Sequence, residues 1–183
     1  MRRIFLTLLG ALAVAGLYAS EPCTRLQTSF NFDWKFAHCD SSVPEDGPQN
    51  ISYDDSAWQD VNLPHDFQIS QPWVAPEASE RPDKSDMGAN VFSRLSSRGF
   101  KEMGKGWYRK TFVPSEEWKG KRVILDFQGI MYVGDVFLNG ERIGGTDYGY
   151  LGFEVDITSR LKWGEENLLS VLADTRNPLN SRW

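Results

Sequence analysis

The chain has 183 residues, with 20 Lys and Arg against 25 Asp and Glu, for a formal net charge of -5. That length holds one domain with a real core. The acidic balance, with no Lys/Arg run longer than two, excludes the basic patch that nucleic-acid binding requires.

Met1-Arg2-Arg3 followed by an almost wholly apolar run of about fourteen residues, Ile4 to Leu17, predicts a secretory signal over residues 1–19. The run is too short for a comfortable transmembrane helix. The mature β-sandwich domain would then span 20–183, in the periplasm or outside the cell, and losing Arg2 and Arg3 would move its charge to about -7. Cys23 is preceded by Ser20-Glu21-Pro22, a poor setting for lipid attachment. In an oxidising compartment Cys23 can pair with Cys39, and a loop of that size would contribute about 3 kcal/mol. Two Cys with His38 do not make a zinc set, because the spacing and a fourth ligand are missing.

Phe30 to Phe36 alternates aromatic with polar residues and reads as a half-buried strand. Asp40 to Asn50 reads as loop, and Asp54 to Trp58 as a turn with Trp58 as an anchor. Val61 to Phe67 is expected to be a short strand ending near Pro64, which donates no ladder bond. Gln71 to Phe100 shows no steady period and is long for a loop, which makes it either a mobile or a functional segment. Strands follow at Trp107 to Val113, Arg122 to Phe127 and Tyr132 to Leu138. Asn139-Gly140 predicts a type I′ turn, with Glu141 to Gly144 as the returning partner. Phe153 to Ile157 and Leu168 to Ala173 complete about eight strands, with a short capped turn between them. With no amphipathic helix of twelve residues after the signal, the pattern is all-β and favours a sandwich.

The chemistry candidates are sparse. A glycosidase needs two carboxylates about 5–9.5 Å apart across one sugar ring, and Asp54-Asp55, Glu116-Glu117 and Glu165-Glu166 read instead as solvated surface. His65, beside Asp66, has the make-up of an oriented base, but a buried ring bonded to a loop is the simpler reading. No Gly-x-Ser-x-Gly elbow and no phosphate loop is present. The seven Trp read mainly as core, with some available to line a sugar-facing surface.

Taken in order, several segments resemble the N-terminal sugar-binding domain of family 2 glycoside hydrolases, the β-galactosidase and β-glucuronidase group. They are Phe30 to Phe36, Asp54 to Trp58, Leu63-Pro64-His65-Asp66-Phe67, Gly106 to Phe112, Phe127-Gln128-Gly129-Ile130 with Val136 to Gly140, Gly149 to Thr158, and Asn177-Pro178 with Ser181-Arg182-Trp183. The resemblance implies a jelly-roll β-sandwich of galactose-binding-domain type; apart from it, the strand pattern itself puts Phe127, Val136 and Leu138 in the core. It also implies immunoglobulin-like and TIM-barrel partner domains, the barrel supplying both catalytic Glu residues for hydrolysis of a β-linked carbohydrate. No catalytic residue, cofactor or metal is then expected in this chain. The rim of the barrel's pocket would receive the loop from Gln71 to Phe100 and the tail from Asp174 to Trp183, with Asn177, Arg182 and Trp73 as the residues able to reach a sugar, and a packing or interdomain role as the equal alternative for Asn177 and Arg182. The family's pattern continues past Arg-Trp into another strand, so an open sheet edge suited to homodimer formation is expected. A free-standing carbohydrate-binding module, using Trp73, Phe92 and Phe100, and a structural interaction domain are the other readings.

Overall fold

The computed structural model describes residues 25–74 and 101–176. Eight strands form within them: β1 (Trp34–His38), β2 (Gln59–Val61), β3 (Lys105–Phe112), β4 (Ile124–Phe127), β5 (Val133–Leu138), β6 (Glu141–Thr146), β7 (Phe153–Asp156) and β8 (Asn167–Asp174). Helical structure among the described residues is limited to short 3-10 turns at Phe67–Ser70 and Glu116–Trp118. Six strands make one antiparallel sheet in the order β2-β1-β3-β8-β5-β6, and β4 and β7 pair as a second, smaller sheet. This is the all-β sandwich that the turn spacing predicts.

The core lies between the sheets. Alternation in the central strands sends Tyr108 and Phe112 of β3, Leu169, Val171 and Ala173 of β8, and Val136 and Leu138 of β5 to the inner face. Trp34 and Phe36 extend that face on β1, and Val155 of β7 with Leu125 and Phe127 of β4 close over it. Phe127 and Phe153, direct partners across the small sheet, stack at 4.8 Å. Gly106 and Gly145 are among the positions where close approach demands glycine. A Cβ on Gly106 would lie 2.5 Å from the Phe36 ring, and one on Gly145 only 2.2 Å from the carbonyl oxygen of Gly134.

Element ends differ from the sequence reading where backbone geometry intervenes. β1 starts at Trp34 rather than Phe30, because Asp33 adopts a left-handed φ of 58° that breaks the extended run. β2 stops at Val61, and the residues expected to continue it instead form a strap over the inner face, with a cis bond at Leu63-Pro64. The Asn139-Gly140 turn has both φ values positive, 54° and 92°, as a type I′ hairpin requires. Asn139 also ties this turn to β8, accepting from Leu168 N at 3.0 Å and donating to Oδ1 of the fully buried Asn167 at 2.9 Å.

The outer face of the large sheet carries a second apolar cluster. Trp107, Phe137 and Leu172 meet Val43, Tyr53 and Trp58, which come from the loop between β1 and β2. That loop covers the face through a buried Arg109, only 3 % exposed. Its Nη1 donates to Tyr53 O at 2.8 Å and pairs with Asp55 at 2.9 Å, while Nη2 donates to Asn50 O at 3.1 Å.

Leu138 is 2 % exposed and fully enclosed by the inner core. Leu138→Ala should cost about 2–5 kcal/mol, read as a fall in the urea midpoint at unchanged slope.

Candidate functional site

One end of the sandwich gathers the segments that carry the sequence-predicted site residues. Register places Lys105 opposite Asp174, and Asp174 opposite Val133, so the start of β3, the end of β8 and the start of β5 share one edge. Here the chain beyond β8 is stapled to the segment leading into β3. Thr175 N donates to Gly104 O at 2.9 Å, and Gly104 N donates to Thr175 Oγ1 at 3.0 Å. Tyr132 N donates to Asp174 O at 2.9 Å on the other side. Four charges ring the staple: Lys105 contacts Glu45 and lies 3.9 Å from Asp174, and Arg176 pairs with Asp174 at 2.9 Å and lies 3.7 Å from Glu45.

Trp73 pairs with the segment that leads into β3. It bridges to Lys101 across the long loop, and the Lys101 ammonium lies 4.1 Å from the indole centre. The same ammonium donates to Ile69 O at 3.0 Å and Gln71 O at 2.8 Å, and Glu102 N donates to Pro72 O at 3.1 Å. The indole is thus held in place yet remains 71 % exposed, with exposed Ile69 and Val74 nearby in sequence. A pre-positioned, solvent-facing indole of this kind suits stacking against the apolar face of a pyranose ring.

An aromatic cluster anchors the strap beneath. Phe36 packs against His38, His65, Phe67 and Tyr108, with ring centres 4.8–5.4 Å away. His65 Nδ1 lies 2.9 Å from Tyr108 Oη, and the Gln71 amide bonds the His38 ring. His65 is therefore a structural anchor, as the simpler sequence reading holds. Burial lowers the proton affinity of both His38 and His65 and raises the pKa of the Tyr108 hydroxyl.

The remaining sequence candidates divide clearly. Asn177, Arg182 and Cys23, and with Cys23 the expected Cys23–Cys39 pairing, lie outside the described residues, as do Phe92 and Phe100. Cys39 follows β1 and packs beneath the cover loop, where burial pushes its thiol up to about 11. Of the three acidic pairs, Glu116 meets Lys119 at the surface, but Asp55 is not idle surface: it is the counter-ion of Arg109. Among the described residues no group of three His, Cys, Asp or Glu side chains could hold a metal ion. The sequence reading missed Arg109 itself. Its one available signal was a charge on the same strand face as the bulky Trp107. It also missed an exposed apolar cluster on two loops of the same end, Met131 with Tyr148, Tyr150 and Leu151.

The architecture and its loop-borne aromatic end define a β-sandwich module of the sugar-binding class. Residues 89–180 match the family model described as the glycosyl hydrolase 2 galactose-binding domain-like family, and the chain belongs to that family. A β-galactosidase of Bacteroides ovatus is 35 % identical over 159 residues, which are 87 % of this chain and 16 % of that enzyme. A β-glucuronidase of Formosa agariphila is 31 % identical over 80 % of the chain and 13 % of its own length. Among solved structures, a β-glycosidase of Bacteroides vulgatus superimposes with a TM-score of 0.64 at 32 % identity, covering 84 % of this chain and 18 % of that one. The chain thus spans less than a fifth of these enzymes and corresponds to an accessory domain of them rather than to their catalytic machinery.

Because burial disfavours both imidazolium forms, the histidines contribute stability in full above the unfolded-state pKa of about 6.5 and lose it as pH falls, since the unfolded chain takes up protons first. The urea midpoint should fall between about pH 7.5 and about pH 5.5, and the fall should shrink in His65→Gln. An undiminished fall in that variant would assign the acid sensitivity elsewhere.

Proposed function

We propose that this chain is the sugar-binding accessory module of a larger exported β-glycosidase acting on a β-linked carbohydrate, with β-galactosides as the leading substrate class. Its loop end would border the pocket of a TIM-barrel domain, with an immunoglobulin-like domain between them in sequence. The observation that carries this reading is the linkage of the long loop to the tail: Trp73 pairs with Lys101, and the segment that follows Lys101 holds the start of the tail through the Gly104–Thr175 staple. Residues 1–19 fit an export signal, which would place the mature domain in the periplasm or outside the cell.

The full chain should hydrolyse no aryl β-galactoside or β-glucuronide, and measurable turnover would sink the accessory assignment. In a longer enzyme carrying this domain, Trp73→Ala should raise KM for β-galactosides while leaving kcat within about twofold, the signature of lost uniform binding. An unchanged KM would remove Trp73 from the rim.

The exposed, pinned indole favours one second reading, a module that binds sugar by itself. Titrating the chain with millimolar galactosides and glucuronides separates the two. Saturable quenching of Trp fluorescence that Trp73→Ala abolishes supports the free-standing module, and a flat titration supports the rim role. Homodimer pairing through the edges of the two-stranded sheet that no strand among the described residues covers is a further proposal, checked by concentration-dependent light scattering.

A further inference from the structure

We propose that a single water molecule is bound under the cover loop, bridging Nε of Arg109 and Oγ of Ser170. Arg109 on β3 and Ser170 on β8 are direct register partners in adjacent central strands, so their side chains rise from the same face of the sheet. Both are enclosed, at 3 % and 0 % exposure. Arg109 Nε and Ser170 Oγ are also two of the three buried side-chain polar atoms that have no hydrogen-bond partner among the described residues.

Their coincidence at one register position is the point. Partnered Cβ atoms in an antiparallel ladder stand about 4.5–5.5 Å apart, and a serine is short. Its neighbours are not: Phe137 lies across from Ser170 on β5, and Leu168 and Leu172 flank it on β8. A small side chain among large ones leaves room beside the guanidinium. The two terminal nitrogens of Arg109 are already engaged outward, by Asn50, Tyr53 and Asp55. Nε is the one nitrogen of the guanidinium without a partner.

The chemistry selects water over an ion. A cation would sit against a guanidinium. An anion would duplicate Asp55, which already balances the charge. Water accepts from Nε–H and, because a hydroxyl both donates and accepts, pairs with Ser170 in either sense. Buried waters occupy such polar, otherwise unsatisfied positions. In this role Ser170 acts through the water as a positioning residue for Arg109, and the water completes the hydrogen-bonding of the group that seats the cover loop.

A crystal structure of the full chain at a resolution that places ordered solvent should show one peak within about 2.7–3.2 Å of both atoms. No peak, or a direct Nε–Oγ contact, overturns the proposal. Two isosteric variants give an independent reading in solution. Ser170→Thr keeps the hydroxyl and Ser170→Val does not, so the cost of the added methyl is common to both. Thr should give the higher urea midpoint of the two. An equal or higher midpoint for Val would mean a dry site and overturns the proposal.

Discussion

The guanidinium of Arg109 is the interaction on which the outer half of this sandwich depends. A charged group at 3 % exposure is retained only when its charge and its donors are matched. Asp55 supplies the charge, and the carbonyls of Asn50 and Tyr53 supply two fixed acceptors. All three come from the loop between β1 and β2, so satisfying one side chain of β3 folds some twenty residues over the sheet. Tyr53 and Trp58 lie within 5.6 and 5.8 Å of the guanidinium carbon and add their ring faces to the hold. Once the loop is seated, Val43 and Trp58 pack on Trp107, and the indole nitrogen of Trp107 donates to Pro44 O at 3.2 Å. Polar matching sets the position of the loop, and apolar burial follows from it.

The inner half is organised differently. The six-stranded sheet faces a partner of only two strands, so irregular segments must cover the rest. The strap from Leu63 to Gln71 does this over β1 and β3, using Phe67, the two histidines and the Tyr108 hydroxyl in place of ladder bonds. Such a cover has few backbone bonds of its own and relies on rings. Gly106 belongs to the same solution, since only its bare Cα lets the Phe36 ring lie flat enough to serve as the strap's floor.

Legibility in the sequence follows the range of the forces involved. The regular alternation of β5, the continuous apolar run of β8 and the Asn139-Gly140 hairpin are written in local pattern and local φ preference, and each forms where the pattern puts it. Phe30 to Asp33 and Asn62 to Phe67 share that alternation, yet a positive φ at Asp33 and docking over Phe36 take both out of the ladder. The resemblance to family 2 glycosidases was readable because its motifs are short and ordered. Arg109 was not, because its one local signal, a shared strand face with Trp107, also fits a solvated arginine, and its partners lie 54 to 59 residues away in sequence. Of the site, Trp73 was legible as an aromatic in a loop without period, whereas its fixation by Lys101 depends on the far end of that loop.

The position of β8 has a mechanical consequence. It is the central strand of the large sheet, zipped to β3 on one side and β5 on the other over nearly its whole length, and the chain leaves it through Asp174 and the Thr175–Gly104 staple. A pull applied at residue 176 along the strand therefore loads two ladders in shear at once, instead of peeling one ladder bond by bond. The first bonds to carry that tension are those of the staple, which tie the tail to the returning arm of the long loop. Strain entering from the C-terminal side is thus shared with the segment beside Trp73 before it reaches the core.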